Sequence, residues 1–315
     1  MIRSQLCDVL HIEYPVIQGG MAWIADAQLA AAVSNAGGLG MIAAMNSNGE
    51  QIREQICKAK LLTDKPFGVN IMLMSPFVQE AVDVVCEEKV AVVSTGAGNP
   101  TPYMDQMIQA GILVMPVVPS VAIAKMVARK GAVAVVAEGG ESGGHVGDLT
   151  TMTLVPQVVD AVDIPVVAAG GIADGRGMAA ALMLGACGIQ MGTRFLTADE
   201  CSVHENYKLK VLKARDIETI VTGKRLGHPV RTLKTPFSKT FFEKEYDSSV
   251  TNEELEQMGA GSLRMAAKDG DLNKGSFMCG QIAGLVTERK NCCEIISSIT
   301  EEAETILKGA TKWVR

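Results

Sequence analysis

Ala132-Val133-Ala134-Val135-Val136-Ala137-Glu138-Gly139-Gly140-Glu141-Ser142-Gly143-Gly144-His145-Val146-Gly147 is the stretch on which the fold turns. Its first six residues are small and apolar, with the length and composition of a buried parallel strand. Five of the next ten are glycine. Glycine costs backbone entropy, so a cluster this dense at a strand end marks a chain that turns sharply or closely approaches a ligand. His145 stands inside it, one of four histidines in the chain. Its unperturbed pKa lies near neutrality, which makes it the acid/base candidate. The plainer alternative is a surface loop with an incidental histidine.

The same punctuation recurs along the chain. Strand-like runs begin near Val16, Met41, Phe67, Val90, Ile112, Ala132, Val166 and Gly188. Helical patterns fill the gaps. Asp26 is placed to cap Ala27–Ala36, with Gly37 as the stop. Asp174 caps a Met178–Leu184 segment, and Thr151 can cap the apolar stripe of Leu154–Val162. Eight βα units in a row predict an α/β fold of the (β/α)8 TIM barrel type; an open doubly wound sheet is the competing arrangement. Barrel sites lie at the C-terminal strand ends. Here those ends carry Gln18-Gly19-Gly20-Met21, Asn70, Ser94-Thr95-Gly96, Glu138, Gly170-Gly171 and Gln190-Met191-Gly192-Thr193. Exposed N–H groups after the seventh and eighth strands form the usual phosphate cradle of a barrel. Gly96-Ala97-Gly98 is only a fragment of a dinucleotide fingerprint and is set aside.

Composition narrows the class. The chain has 315 residues, 48% of them hydrophobic, enough for one large core. Aromatics are 4%, so the core rests on aliphatic residues, as suits a helix-covered parallel sheet. No apolar run is long enough for a transmembrane helix, and the start lacks a signal-peptide pattern. The eight cysteines show no Cys-x-x-Cys spacing, and Cys292 adjoins Cys293, so no metal site is expected and a reduced, cytoplasmic protein is. Net charge is −6, yet residues 201–240 hold nine Lys/Arg against three acids. That window reads either as a solvated face or as an attraction for an anionic partner. The acidic balance elsewhere argues against nucleic-acid binding.

After Thr193 the alternation stops. Residues 199–275 show no strand pattern and read as an insertion beside the barrel mouth, with helices near 203–214 and 252–268. Ser276–Arg289 and Cys292–Lys308 read as helices packing back. The expected division is 1–198 barrel, 199–275 helical lid or insertion, and 276–315 C-terminal helices.

Tyr14-Pro15-Val16-Ile17-Gln18-Gly19-Gly20-Met21-Ala22-Trp23, Asn35-Ala36-Gly37-Gly38-Leu39-Gly40, Gly143-Gly144-His145-Val146-Gly147 and Gln190-Met191-Gly192-Thr193 resemble the nitronate monooxygenase superfamily. Over the full length the chain is most similar to its FMN-dependent enoyl-[acyl-carrier-protein] reductase II branch. Leu149-Thr150-Thr151-Met152 favours that branch. The resemblance implies FMN at the barrel mouth, NADPH or NADH as reductant, an acyl carrier protein presenting the enoyl substrate, and a homodimer. It implies that Gly171, Gly192 and Thr193 hold the phosphate. Gly20, Met21, Asn70, Ser94 and Glu138 would surround the ring and ribityl chain, with Gly143, Gly170, Gln190 and Met191 completing the set. His145 would be catalytic, on the substrate side of the flavin. Two other functions stay open: a nitronate monooxygenase using the same histidine as a base, and a flavin-binding regulator without turnover.

Overall fold

The computed structural model describes residues 2–45 and 47–313. Eleven strands run in chain order: β1 (Val16–Gln18), β2 (Gly40–Ala43), β3 (Phe67–Met72), β4 (Val92–Gly96), β5 (Leu113–Val118), β6 (Val135–Glu138), β7 (Gly144–His145), β8 (Val166–Ala169), β9 (Gly188–Met191), β10 (Thr219–Thr222) and β11 (Val230–Leu233). Eight of them form one parallel sheet in the order β1-β9-β8-β6-β5-β4-β3-β2. β1 and β2 meet through an Ile17–Leu39 bridge, with Leu39 N–H donating to Val16 O at 2.9 Å and Gln18 N–H to Leu39 O at 3.0 Å. The barrel therefore closes, and the eighth strand expected near Gly188 is β9.

The closing seam is thin, and Gln18 reinforces it. Its buried side chain donates to Met41 O at 3.2 Å and accepts from Met41 N–H at 3.1 Å. An amide can both donate and accept, so it copies one rung of a backbone ladder where the strands diverge.

Side chains alternate along each strand as the pleat requires. Val16, Ile42, Val69, Val93, Val114, Val135 and Val166 pack outward with the helices in one cluster. Ile17, Met41, Val92, Met115, Val136 and Val167 point inward and form a second cluster with Leu6, Cys7 and Leu10 of the Gln5–Leu10 helix. Leu6 lies against Gly188 at the start of β9, so this helix plugs the N-terminal end of the barrel. Only the C-terminal end is open to receive a ligand.

Helices follow the barrel strands at Ala27–Asn35, Gly49–Leu62, Val78–Glu87, Thr101–Gln109, Val121–Arg129, Thr151–Val159 and Gly175–Met183. Asp26 accepts from Leu29 N–H at 3.0 Å, and Asp174 from Arg176 N–H at 3.0 Å, as expected of caps. The Asp174 helix begins at Gly175, earlier than the expected Met178. The eighth helix, Cys292–Lys308, arrives only after the insertion. It packs between the Gly175–Met183 and Ala27–Asn35 helices and buries Ile295, Ile296, Ile299 and Ala303. Ile306, near the end of the same helix, is exposed.

Three expectations are corrected. The 199–275 segment does contain strands: β10 and β11 form an antiparallel ribbon that extends to β7. Ser276–Arg289 is not an α-helix but a bridge at Met278 and a 3-10 turn at Gln281–Leu285. The helix expected across 252–268 breaks at Gly261, whose φ is +72°. All eight cysteines are free, and no helix among the described residues is long and apolar enough to cross a membrane.

Gly40 shows how tightly the ring sits on the barrel. A Cβ there would lie 1.9 Å from Ala30 O of the first ring helix. Gly40→Ala is expected to destabilise by at least about 1–3 kcal/mol, since rigid backbone must move. Gly309→Ala, where a Cβ meets nothing within 4 Å, is the control. Urea unfolding of the two variants measures the difference; equal midpoints would contradict the packing.

Candidate active site at the barrel mouth

The inward alternation that builds the core continues upward into the site. Above the Ile17–Met41–Val136–Val167 layer, the next inward positions are Gly19, Ala43, Asn70, Val117, Glu138, Ala169 and Gln190, and all line a cavity of about 420 Å³. That volume lies within the range of small-molecule and cofactor pockets. The cavity also takes in Gly20, Met21, Gly143, His145, Gly170, Gly171, Met191, Gly192 and Thr193.

Ser94 alone among the sequence candidates does not line it. Ser94 is buried, paired with Asn70 across β3–β4, and accepts from Asn70 Nδ2 at 2.7 Å. It fixes the amide instead of meeting a ligand. Asn70 in turn leaves no room at Gly20, where a Cβ would lie 2.4 Å from the Asn70 side chain.

The β8–β9 side is the polar end. Gly170 and Gly171 have φ of +84° and +73°, a left-handed pair that other residues adopt at a cost. Among the described residues no acceptor takes the Gly171 amide hydrogen. Gly192 and Thr193 end β9 beside it, and Thr193 opens a short 3-10 turn. Unspent amides at a strand–helix junction are the donor set a phosphate requires. The residues present therefore fit a phosphate-bearing cofactor.

Glu141 and Thr151 lock this end to the glycine loop. Glu141 accepts from Thr151 N–H at 2.9 and 3.0 Å and from its hydroxyl at 3.0 Å. The same hydroxyl lies 2.9 Å from Gly170 O. Thr151, expected to cap its helix, is instead its first residue with its hydroxyl bound to Glu141, and Thr150 holds the cap position without a side-chain bond.

The other half of the loop is held from the insertion. His145 pairs with Val230 and Gly144 with Arg231, joining β7 to β11. Val146 N–H donates to Pro229 O at 3.0 Å. The Arg231 guanidinium donates twice to Gly140 O, at 2.8 and 3.2 Å. Tyr207, Leu263, Met278, Gly280 and Ile282 complete the wall from the same later segment. The buried Tyr207 hydroxyl donates to Met278 O at 2.6 Å, and burial holds its pKa well above the usual phenol value. Sequence gave no signal for these beyond an isolated tyrosine.

Desolvation acts on Glu138 and His145 as it does on Tyr207. Burial lowers the His145 pKa from 6.5, with a smaller push from His228, so the ring is neutral at pH 7. Burial raises Glu138 from 4.5 to about 7, opposed by the neighbouring Ser142 hydroxyl. Glu138 is half-buried and lines the cavity.

The basic window of residues 201–240 does not form one surface. The Lys208 ammonium is buried and donates to Ala198 O at 2.6 Å. Arg225 is spent on Asn252 and the carbonyls of Asp247 and Val250, and Arg231 on the glycine loop. Lys210 is half-buried over the Phe277 ring. Only part of the counted charge remains for a partner.

Fold and mouth together define a barrel enzyme of the cofactor-binding class. Residues 3–82 and 75–302 match the family model described as nitronate monooxygenase, and the chain belongs to that family of FMN-dependent oxidoreductases. The structure superposes on FabK from Thermotoga maritima with a TM-score of 0.97 and 49% identity, over 100% of both chains. A carboxyl-CoA dehydrogenase of Mycobacterium tuberculosis, acting on a hydroxy-methyl-oxo-octahydroindene, is 34% identical over 99% of each chain. A protein named probable nitronate monooxygenase from Staphylococcus saprophyticus is 31% identical over 97% of this chain and 99% of its own.

The Glu138 shift has a sign that can be checked. The folded state favours the neutral acid, so its contribution is fully present below about pH 4.5 and is lost as pH rises through about 7. The loss is at most about 3 kcal/mol, reduced by water in the cavity. Thermal unfolding of the flavin-free protein is expected to weaken from about pH 5 to about pH 8. Glu138→Gln should flatten that slope; an unaltered slope would show that Glu138 is ionised throughout.

Proposed function

We propose that this protein reduces the trans-2 double bond of an enoyl thioester carried on acyl carrier protein, using NADPH or NADH. The balance is enoyl thioester plus NAD(P)H plus a proton giving acyl thioester plus NAD(P)⁺. FabK is an enoyl-[acyl-carrier-protein] reductase II, and the full-length match to it at 49% identity is the observation that carries this reading. The mycobacterial relative is named for an activity on a CoA thioester, which is the same substrate chemistry.

Gly170, Gly171, Gly192 and Thr193 would hold the FMN phosphate through main-chain N–H groups, and Gly20, Met21, Asn70, Glu138, Gly143, Gln190 and Met191 would surround the rest. Bound there, FMN supplies the two-electron chemistry between nicotinamide and the substrate β-carbon. Gly20 leaves room for the Asn70 side chain, whose amide Ser94 keeps in one orientation at the cavity wall.

His145 donates a hydrogen bond from its neutral ring to the thioester oxygen, where negative charge develops. A neutral imidazole suits this role because it keeps one N–H and places no fixed charge in the cavity. Glu138, raised by burial to a pKa of about 7 in the same cavity, exchanges a proton near neutral pH. The walls from Tyr207, Met278 and Ile282 exclude water, which strengthens every dipole inside.

A second reading has its own support: the family description and the staphylococcal relative both name nitronate monooxygenase. There His145 takes a proton in place of giving a hydrogen bond, and no nicotinamide is required.

Anaerobic stopped-flow separates the two. The purified flavoprotein is expected to bleach rapidly with NADPH or NADH and to reoxidise with crotonyl thioester. His145→Ala, with FMN retained, should lose about 10²-fold in kcat/KM for the thioester. No bleaching and no reoxidation, with nitronate turnover in air, would transfer the assignment to the second reading.

A further inference from the structure

We propose that Gly96 sets the length of apolar chain the site accepts. The inference rests on the enoyl-thioester reading for the identity of that chain. Its structural basis is the wall opposite the polar end.

In the circle of eight barrel strands, β3 and β4 stand across from β8 and β9. A cofactor anchored at Gly171 and Thr193 leaves its far side facing β3–β4. The inward rim positions there are Met72 on β3, Gly96 on β4 and Val117 on β5. Met72 pairs directly with Gly96, and β5 runs alongside β4. The wall thus reads large, absent, large. A Cβ built on Gly96 meets no heavy atom within 4 Å, so the gap is open space and not a packed contact.

Two further observations place the gap at a ligand. The histidine loop crosses to this side, because a Cβ on Gly147 would lie 3.3 Å from Pro119 at the end of β5. A thioester held at His145 therefore has its acyl chain directed to the neighbouring β4. In addition, Ala97 follows Gly96 at φ +54°, a conformation alanine seldom adopts. It also lines the cavity. Strained backbone of this kind concentrates where ligands bind. The surroundings are apolar, with Met45, Met72, Val117 and Pro119, so they match a hydrocarbon and not a charged group.

The φ of Gly96 lies outside the left-handed region, so a side chain can be added there without backbone strain. Gly96→Val and Gly96→Leu should close the gap, and Met72→Ala should widen it. Binding of saturated butyryl and dodecanoyl pantetheine thioesters to the oxidised, FMN-saturated protein is read from the flavin spectrum and by calorimetry. The ratio of long- to short-chain affinity is expected to fall about tenfold in Gly96→Val, further in Gly96→Leu, and to rise in Met72→Ala. A ratio that stays fixed in all three variants would overturn the proposal, as would an equal loss for both chains. If the unaltered protein binds neither thioester, the enoyl reading itself fails. Nitroethane and 1-nitrooctane then replace the thioesters. The same ordering of ratios would uphold the role of Gly96, and a fixed ratio would end it.

Discussion

A loop with five glycines in ten residues cannot hold a histidine in place by itself. The pairing of β7 with β11 is what gives His145 a position. Arg231 adds to it by holding Gly140 O from the same strand. Backbone ordering costs about 1–2 kcal/mol per residue, and more for glycine, so such a loop orders only against a partner that supplies hydrogen bonds. That partner is a ribbon from the insertion, not from the barrel. The insertion is therefore part of the site's construction. The eighth ring helix follows it in sequence, so the ring of helices is completed only after the segment that builds the site's wall.

The opposite end of the loop is tied to the barrel through Glu141, Thr151 and Gly170. Between the two ties lies a cavity in which Glu138 and His145 are driven toward neutrality by one cause. Desolvation raises the Glu138 carboxyl and lowers the His145 imidazole. With the imidazole neutral and the carboxyl charge reduced, fixed dipoles carry more of the field inside: the amides at Gly171 and Thr193, the Asn70 amide and the imidazole N–H. Such an arrangement leaves room for the negative charge of a phosphate at one end and of a developing enolate at the other.

Much of this was legible because it is periodic or local. The eight strands show as apolar runs at regular spacing, and Asp26 and Asp174 read as caps because the bond they make is to their own helix. Inward and outward positions follow from the pleat, which is why Asn70, Glu138 and Gln190 could be placed at one rim. The strand onset nearest the site was read at Ala132, whereas β6 begins at Val135, since an apolar run does not show where pairing starts. Non-local features were silent. β10 and β11 are four residues each with burial that deepens toward one end instead of alternating, and β11's partner β7 is far away in sequence. Thr151 looked like a cap because nothing local shows that its hydroxyl serves Glu141. A count of lysines and arginines could not show that Lys208 is buried or that Arg231 faces a carbonyl.

The two chemistries named in this family ask opposite things of the same ring. A base must accept a proton, and an oxyanion donor must give a hydrogen bond. A neutral imidazole with a lowered pKa does both, one nitrogen for each task. The state of His145 therefore does not select the reaction. Selection falls to the space around it, since a nitronate brings an anionic group and a long acyl thioester brings a neutral carbonyl and a large apolar volume. That volume lies at the β3–β5 wall, where Met72 and Val117 flank a residue with no side chain. A wall of that shape gains little from a small nitroalkane and much from a chain that enters the gap, because hydrophobic stabilisation grows with the area removed from water. What the cavity leaves empty at Gly96 therefore bears on the length of chain the site takes, acyl or alkyl, while the choice between the two chemistries rests on the full-length likeness to FabK.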